Sequence, residues 1–359
     1  MTEHIEVDYL IVGAGAMGMA FADTLLAETD KTMVIVDRHA KPGGHWNDAY
    51  PFVTLHQPSA YYGVSSRELS TGRIDQTGLN KGLNDLATLP QLMAYFEAVM
   101  GEQFLPSGRV RYLPLCNHLG GGVVEAVLGK ARYQITVREK IVDATWLKTT
   151  VPSTHEPNFD VASGVNFMPL NELPKLAEAP SDYVVIGGGK TGIDAIIWLL
   201  EYGVDPATIR WIMPRDAWLF TRETTQPGAA YFEATIGAQA NLMQAVAEAE
   251  TVPGLFLRLE QAGIFTRIDP SITPKMMHGA TISQPELEAL RSVKHVLRKG
   301  RVVRIGPNHF ELEQGREPCG PDTLFIDCSA RAVGNMQVRP VFEDDTIYLQ
   351  TVRTVQPVF

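Results

Sequence analysis

One short pattern occurs twice in this sequence of 359 residues. In both copies an apolar run leads into Gly-x-Gly-x-x-Gly and a helix-forming run follows, and the copies stand in different halves of the chain. In a strand–turn–helix unit, the first glycine makes the tight turn, the second lets a pyrophosphate approach the backbone and the third lets the helix pack on the strand. The repeat therefore predicts an α/β fold with two Rossmann-like dinucleotide-binding domains. The glycines concerned are Gly13, Gly15 and Gly18 in the first copy and Gly187, Gly189 and Gly192 in the second.

The first copy carries an acid where a ribose-binding residue is expected. After the helix, the apolar run 32–36 ends in Asp37, about 20 residues beyond Gly18, the spacing found in dinucleotide-binding units. The N–H groups and positive dipole end of the helix would bind the pyrophosphate. We therefore predict that the three glycines, Asp37 and the neighbouring Arg38 bind a dinucleotide. A glycine-rich turn without a ligand is the alternative.

The second copy lacks such an acid. Its following apolar run, residues 209–213, ends beside Arg215. An arginine there suits a 2′-phosphate, which favours NADP over NAD; the alternative is an exposed arginine at a strand end. Lys190 and Thr191 stand inside the second turn and are predicted to contact the coenzyme together with its glycines. The Gly-Lys-Thr sequence is not a P-loop, because Val184 stands where that loop requires a glycine.

Composition narrows the function classes. Acidic groups number 41 and basic groups 31, which gives a formal charge of −10 at pH 7. An acidic chain without basic clusters argues against binding to nucleic acid or to an anionic membrane surface. No apolar run of about 20 residues is present and no signal-peptide pattern opens the chain, so we expect a cytoplasmic protein without a membrane span. The three cysteines are scattered, which disfavours a disulfide framework, a metal site and a redox-active dithiol.

Outside the two glycine patterns, the sequence predicts three further features. Residues 42–66 form an irregular loop rich in Trp, Tyr, His and Gln, which favours a role in lining a ligand site. Residues 123–127, 133–137 and 141–144 predict an antiparallel meander of three short strands. Residues 228–299 predict a helical insertion, whose last helix extends over residues 284–298.

Two dinucleotide patterns in one chain resemble the flavoprotein superfamily with two dinucleotide-binding domains of the glutathione-reductase type. Gly43-Gly44-His45-Trp46 followed by Tyr50-Pro51 is similar to the G-G-x-W…Y-P pattern of flavin-containing and Baeyer–Villiger monooxygenases. In those families this loop runs along the flavin, which implies that Gly44 and Trp46 contact it. The turn Asp327-Cys328-Ser329-Ala330 is similar to the small-residue segment that returns the chain to the FAD domain, which implies cofactor contacts from Ser329 and Ala330.

The resemblance implies a division into two domains and a reaction. Residues 1–150 and 321–359 would form the FAD-binding domain, and residues 151–320, with the helical insertion, the NADPH-binding domain. NADPH would reduce FAD by hydride transfer, and O2 would then accept the electrons in a monooxygenase that acts on a small-molecule substrate. A flavin-dependent reductase or dehydrogenase with another acceptor and a non-catalytic nucleotide-binding protein stay open as alternatives, as does the oligomeric state.

Three departures from the family pattern bear on the chemistry. The Baeyer–Villiger motif F-x-G-x-x-x-H-x-x-x-W/P is incomplete, because the segment from Phe159 to Pro169 has no histidine at the required spacing. Phe52 replaces the glycine expected after Tyr-Pro, and His56 stands about where Baeyer–Villiger enzymes have an aspartate. The family has a further helix after its last strand. The chain stops at Phe359, so either the sequence is incomplete there or that side of the flavin is built differently.

His56 and Gln57 are the predicted catalytic residues. Both would make polar contacts near the flavin ring, and His56 would donate a proton. The alternative for His56 is a hydrogen bond to loop backbone alone. The aromatic side chains of Trp46, Tyr50 and Phe52 are predicted to keep water out of the same region.

Overall fold

A computed structural model describes residues 2–331, 334 and 336–351, without the side chain of His278. The α-helices in this part of the chain are α1 (Ala16–Glu28), α2 (Leu89–Ala98), α3 (Lys190–Glu201), α4 (Phe232–Glu248), α5 (Val252–Gln261) and α6 (Gln284–Ser292). The first strands are β1 (Thr2–Val12), β2 (Met33–Val36), β3 (Gly63–Val64), β4 (Arg67–Glu68), β5 (Val110–Leu113), β6 (Cys116–Gly120), β7 (Val123–Ala126), β8 (Arg132–Asp143), β9 (Asp160–Val161), β10 (Phe167–Pro169) and β11 (Asp182–Ile186). The later strands are β12 (Ile209–Ile212), β13 (Ala217–Thr221), β14 (Phe265–Thr266), β15 (Met276–Ile282), β16 (His295–Leu297), β17 (Val302–Ile305), β18 (His309–Leu312), β19 (Gly315–Pro318), β20 (Thr323–Asp327), β21 (Phe342–Glu343) and β22 (Thr346–Tyr348).

The first sheet has the strand order β21-β22-β8-β1-β2-β5 and is parallel from β22 to β5. All four residues of β2 are buried, as expected for a strand with both faces of its sheet covered. Helix α1 connects β1 to the parallel strand β2, which is the first βα unit predicted from the glycines. The carboxyl ends of β1 and β2 therefore lie side by side at one edge of the sheet.

Strand β8 differs from its prediction. The expected separate strands 133–137 and 141–144 are one strand of 12 residues. The reason is that β1 begins at Thr2 and offers a partner along its whole length, with a register shift between Val7 and Tyr9. The antiparallel meander then consists of β6, β7 and the N-terminal part of β8.

The second sheet has the order β10-β20-β11-β12-β16, with every neighbouring pair parallel. Helix α3 connects β11 to β12 as α1 connects β1 to β2. The predicted α/β fold with two Rossmann-like sheets is therefore confirmed. Strand β20 lies between β10 and β11 in the second sheet, whereas the sequence division placed residues after 320 with the first sheet.

The expected helical insertion is smaller than the range 228–299. Helices α4 and α5 pack on a sheet of order β14-β13-β15, with Trp218 and Phe265 fully buried between them. The predicted helix over 284–298 is wrong beyond Ser292, because Val293 is extended and β16 pairs in parallel with β12. Helix α6 buries Leu287 and Leu290 in the core of the second sheet.

Two connecting segments run side by side between the sheets. Thr150 N donates to Arg331 O at 3.0 Å, and Arg331 N donates to Thr150 Oγ1 at 3.2 Å. Gly334 N donates to Leu147 O at 3.0 Å. The chain therefore enters and leaves the second sheet through the same place.

Three cysteine thiols are free, at Cys116, Cys319 and Cys328. Within residues 2–331, 334 and 336–351, no cluster of three or more His, Cys, Asp or Glu side chains could hold a metal ion. In the same described part, no helix has the length and apolar character needed to cross a membrane.

Candidate dinucleotide-binding site

The two glycine turns, residues 13–18 (the first turn) and 187–192 (the second turn), have the same geometry. Gly13 and Gly187 have φ of 105° and 130°, values that L side chains rarely adopt. A methyl group on Gly18 would overlap the carbonyl oxygen of Gly13, and one on Gly192 would overlap that of Gly187. Each helix therefore packs directly on its strand, as the third glycine of the pattern predicts.

Both helices begin without a side-chain cap. Gly15 is the N-cap of α1 and Gly189 that of α3, and neither helix donates a backbone N–H hydrogen bond to a capping side chain. A Cβ atom on Gly189 would have no neighbour within 4 Å, whereas one on Gly15 would touch Gly44 Cα at 3.4 Å. The second turn is thus open beside Gly189, and the first turn lies against the Gly43-Gly44 loop. Free N–H groups at a glycine-lined helix end fit the pyrophosphate of a dinucleotide.

Asp37 is engaged inside the protein. Its Oδ2 accepts from Ala14 N at 2.6 Å, and its Oδ1 accepts from His39 N at 2.8 Å. The His39 ring lies between two carboxylates, with Nδ1 2.8 Å from Asp37 Oδ1 and Nε2 2.9 Å from Asp48 Oδ2. The Asp37 contact, with a smaller contribution from Asp48, raises the pKa of His39. Arg38 is exposed, 3.8 Å from Asp48 Oδ2.

The Gly43-Gly44 loop approaches the first turn closely. Gly43 N donates to Ala14 O at 2.8 Å, and a Cβ on Gly44 would lie 2.9 Å from Gly15 Cα. Trp46 packs against the cores of both sheets and donates from Nε1 to Tyr62 Oη at 2.7 Å.

The same loop then crosses to the second turn. Tyr50 Oη donates to Asp194 Oδ2 at 2.5 Å, and Asp194 Oδ1 is ion-paired with Lys190. Burial, followed by the charge of Asp194, raises the pKa of Tyr50 well above its usual value, so the hydroxyl stays protonated. Phe52 stacks on Trp198 with ring centroids 5.0 Å apart. Sequence reasoning missed Asp194, although its four-residue spacing from Lys190 on a helix signals a pair.

The remaining predicted coenzyme residues follow the carboxyl ends of strands in the second sheet or lie in the second turn. Arg215 follows β12, is exposed, and forms no ion pair with any residue of 2–331, 334 and 336–351. Ser329 follows β20, where its hydroxyl donates to Asp327 Oδ1 at 2.6 Å and lies 3.2 Å from His155 Nε2. The second turn lies close by, because a Cβ on Gly187 would be 2.6 Å from Cys328 O. Thr191 and Ala330 are partly buried.

His56 lies where the long loop meets the insertion. Its Nδ1 accepts from Thr281 N at 3.0 Å, so the ring carries its proton on Nε2. Its carbonyl oxygen accepts from Arg222 Nε at 3.0 Å. Arg222 is fully buried and is ion-paired with Glu286 Oε2 at 2.7 Å. Gln57 is half-buried beside His56. Sequence reasoning gave no signal for Arg222, because a single arginine has no motif.

Comparisons with known proteins agree with this geometry. Residues 11–63 match the family model described as an NAD(P)-binding Rossmann-like domain. Among solved structures, a flavin-containing monooxygenase from Stenotrophomonas maltophilia matches with a TM-score of 0.52 and 15% identity, over 96% of this chain and 86% of that chain. A steroid monooxygenase bound to NADP matches with a TM-score of 0.53 and 14% identity, over 91% of this chain and 71% of that chain. The polycyclic ketone monooxygenase from the thermophilic fungus Thermothelomyces thermophila matches with a TM-score of 0.54 and 11% identity, over 93% of this chain and 64% of that chain.

Curated sequence relatives are nearer in sequence. The uncharacterized proteins Rv2000 of Mycobacterium tuberculosis and Mb2023 of Mycobacterium bovis are each 48% identical over 355 residues, which is 99% of this chain. The chain spans 66% of the length of each of these relatives. The chain contains an NAD(P)-binding Rossmann-like domain and has, across most of its length, the fold of the flavin-containing and Baeyer–Villiger monooxygenases.

Proposed function

We propose that the protein is an FAD-dependent, NADPH-using oxidoreductase that acts on a small molecule as a monooxygenase. The observation that carries the proposal is the pair of glycine turns, each at an uncapped helix N-terminus and each in its own parallel sheet. The monooxygenase fold of the neighbours, one of them bound to NADP, supports the choice of activity and coenzyme.

The first turn is proposed to hold FAD. Gly13, Gly15 and Gly18 bring the N–H groups of α1 to the pyrophosphate, and Gly44 and Trp46 flank the flavin side. Asp37 and Arg38 are proposed contacts of the adenosine part. When bound, the flavin would supply the electron transfer, and the residues of the first turn would hold and orient it.

The second turn is proposed to hold NADPH. Gly187, Gly189 and Gly192 would bring the N-terminus of α3 to the pyrophosphate. Lys190 and Thr191 are the first two residues of that helix. Arg215 would bind the 2′-phosphate with its exposed guanidinium. Ser329 and Ala330 border the coenzyme from the end of β20. These residues orient the coenzyme for hydride transfer toward the flavin.

His56 is proposed as the proton donor of the reaction, with Gln57 as a polar neighbour. Because Thr281 N fixes Nδ1 as the acceptor, the proton available for transfer is the one on Nε2. We further propose that residues 2–150 and 336–351 form the FAD-binding domain and that residues 151–331 form the NADPH-binding domain.

A reductase that passes electrons to an acceptor other than O2 is the second candidate. The segment from Phe159 to Pro169, which lacks the histidine of the Baeyer–Villiger motif, favours it.

One experiment separates these activities. The purified protein is mixed with FAD, its visible spectrum is recorded, NADPH is added without oxygen, and oxygen is then admitted with and without amines, ketones or thioethers. Bleaching by NADPH followed by product formation from one of these compounds supports the monooxygenase. Bleaching with direct reoxidation and no product supports the reductase. A protein that fails to bind FAD, or whose bound flavin NADPH does not bleach, refutes the proposed oxidoreductase.

A further inference from the structure

Part of the long loop 42–66 packs against one face of α3. Lys190, Asp194 and Trp198 are spaced four residues apart, so their side chains share this face. Tyr50 Oη donates to Asp194 Oδ2 at 2.5 Å, and Phe52 stacks on Trp198 at an interplanar angle of 25°. Every polar link in this row is shielded: Tyr50 is 5% exposed, and the side chains of Asp194 and Lys190 are 14% and 20% exposed.

The other end of the same segment lies on the first turn. Gly43 N is hydrogen-bonded to Ala14 O at 2.8 Å, inside the turn. Gly44 approaches so closely that a Cβ there would lie 2.9 Å from Gly15 Cα. Residues 43–52, here named the bridging segment, therefore touch the first turn at one end and, at the other end, helix α3, which begins inside the second turn.

We propose that the bridging segment couples the two nucleotide sites and that Tyr50 is the positioning residue through which the coupling passes. A ligand at the first turn fixes Gly44 against Gly15, and this fixes Tyr50 further along the segment. The Tyr50 hydroxyl holds Asp194, and Asp194 holds the Lys190 ammonium at the start of α3, inside the second turn. An ordered ammonium binds an anionic coenzyme better than a mobile one, because less side-chain freedom is lost. The inference rests on the proposed function, since it needs FAD at the first turn and NADP at the second.

The coupling is measured with NADP⁺, which binds without reducing the flavin. Its dissociation constant is determined by calorimetry for the FAD-free and the FAD-saturated protein. In the wild type, FAD is expected to tighten NADP⁺ binding at least about fivefold, the lower end of ordinary allosteric coupling. In Tyr50→Phe this ratio is expected to fall to about one, while FAD affinity stays within about twofold of the wild type, because Tyr50 does not touch the first turn directly.

Two further variants make the test specific. Asp194→Asn removes the charge that holds Lys190. Like Tyr50→Phe, it is expected to lower the ratio of the NADP⁺ dissociation constants without and with FAD to about one. Tyr95→Phe is the matched control, since Tyr95 also has a buried hydroxyl, which accepts from Val64 N and donates to Arg67 O, both at 2.7 Å. It is expected to keep the wild-type ratio. Circular dichroism and thermal unfolding verify that each variant is folded.

The outcomes distinguish this inference from the proposed function. If the wild type binds neither FAD nor NADP⁺, the proposed function and the inference both fail. If the wild type binds both but shows no coupling, or if Tyr50→Phe keeps the coupling, only the inference fails. If Tyr95→Phe loses the coupling between FAD and NADP⁺ binding to the same extent, the inference is also overturned, because loosening of the first sheet's core would then explain the effect. Loss confined to Tyr50→Phe and Asp194→Asn supports it.

Discussion

At the scale of single residues, two glycines of the second turn have opposite roles. A Cβ on Gly189 would meet nothing, and its φ of −90° suits any residue, whereas a Cβ on Gly192 would overlap Gly187 O. We expect Gly189→Ala to change the free energy of unfolding by about 1 kcal/mol or less and to weaken NADP⁺ binding by at least about tenfold. We expect Gly192→Ala to lower the free energy of unfolding by about 2–3 kcal/mol. Urea unfolding and calorimetry measure the two quantities.

The control for this pair is Gly237→Ala in α4, where a Cβ would also have no neighbour within 4 Å. It is expected to raise stability by about 0.5–1 kcal/mol, because glycine is a poor helix residue, and to leave NADP⁺ binding unchanged. Normal NADP⁺ binding by Gly189→Ala would mean that no pyrophosphate lies against the second turn.

Arg215 tests the choice of coenzyme. The side chain is exposed at the end of β12, so its removal costs little stability. If its guanidinium binds the 2′-phosphate, Arg215→Ala should raise the KM for NADPH by about tenfold or more and leave the KM for NADH nearly unchanged. Arg304 is also exposed, on β17, and Arg304→Ala is expected to alter neither value. Equal effects of Arg215→Ala on both coenzymes would remove the phosphate-binding role.

His39 predicts a pH dependence of stability. Its pKa in the folded protein is raised, chiefly by Asp37. A raised folded pKa stabilises the protein fully below the unfolded value of about 6.5, and this stabilisation is lost as the pH rises through the folded pKa. His39→Asn should therefore reduce the free energy of unfolding more at about pH 5.5 than at about pH 8.5.

His45 provides a control of opposite sign. Burial lowers the pKa of His45, so its contribution to stability is present above the unfolded pKa and is lost as the pH falls. The effect of His45→Asn should therefore be larger at the higher pH. Urea unfolding of both variants at the two pH values measures these effects, and equal losses from His39→Asn at both would rule out the ionic contribution of His39.

At the scale of elements, the start of α6 depends on one carboxylate with two tasks. Glu286 Oε2 accepts from Ser283 N at 2.7 Å, which caps the helix, and pairs with the fully buried Arg222 at 2.7 Å. Glu286→Gln can keep the cap but leaves the arginine charge without its partner, so we expect a loss of about 3 kcal/mol. Glu288→Gln, on the exposed face of α6, should change stability by about 0.5 kcal/mol or less. Thermal or urea unfolding measures both, and similar small losses would mean that Arg222 is satisfied without Glu286.

Elements also mark where sequence reasoning succeeds and fails. The two βα units were predictable because glycine spacing is a local constraint that only a tight strand–helix contact requires. The single long β8 and the early end of α6 were not, because both depend on partners distant in sequence. Strand β8 pairs with β1 along its length, and residues 295–297 pair with β12 in the second sheet. Periodicity alone cannot report such pairings.

At the scale of the whole molecule, the candidate site also combines features with a local sequence signal and contacts between residues that are distant in sequence. The glycine turns and the exposed Arg215 were identified from the sequence. The contacts of Asp37 with Ala14 N and of His56 with Thr281 N were not, because they join residues far apart in the chain. The approach of Tyr50 to Asp194 spans 144 residues of sequence and has no local signature. Long-range polar contacts are thus the part of the site that only the structure reveals.

The paired connecting segments around Thr150 and Arg331 have an evolutionary consequence. Thr150 and Arg331 are hydrogen-bonded neighbours, so the residues between them are joined to the first sheet by two adjacent segments. Recombination at these two points would replace the part of the chain that contains the second sheet while the order of strands in the first sheet stays intact. Chimeras joined there should tolerate a foreign insert more readily than chimeras joined within either sheet.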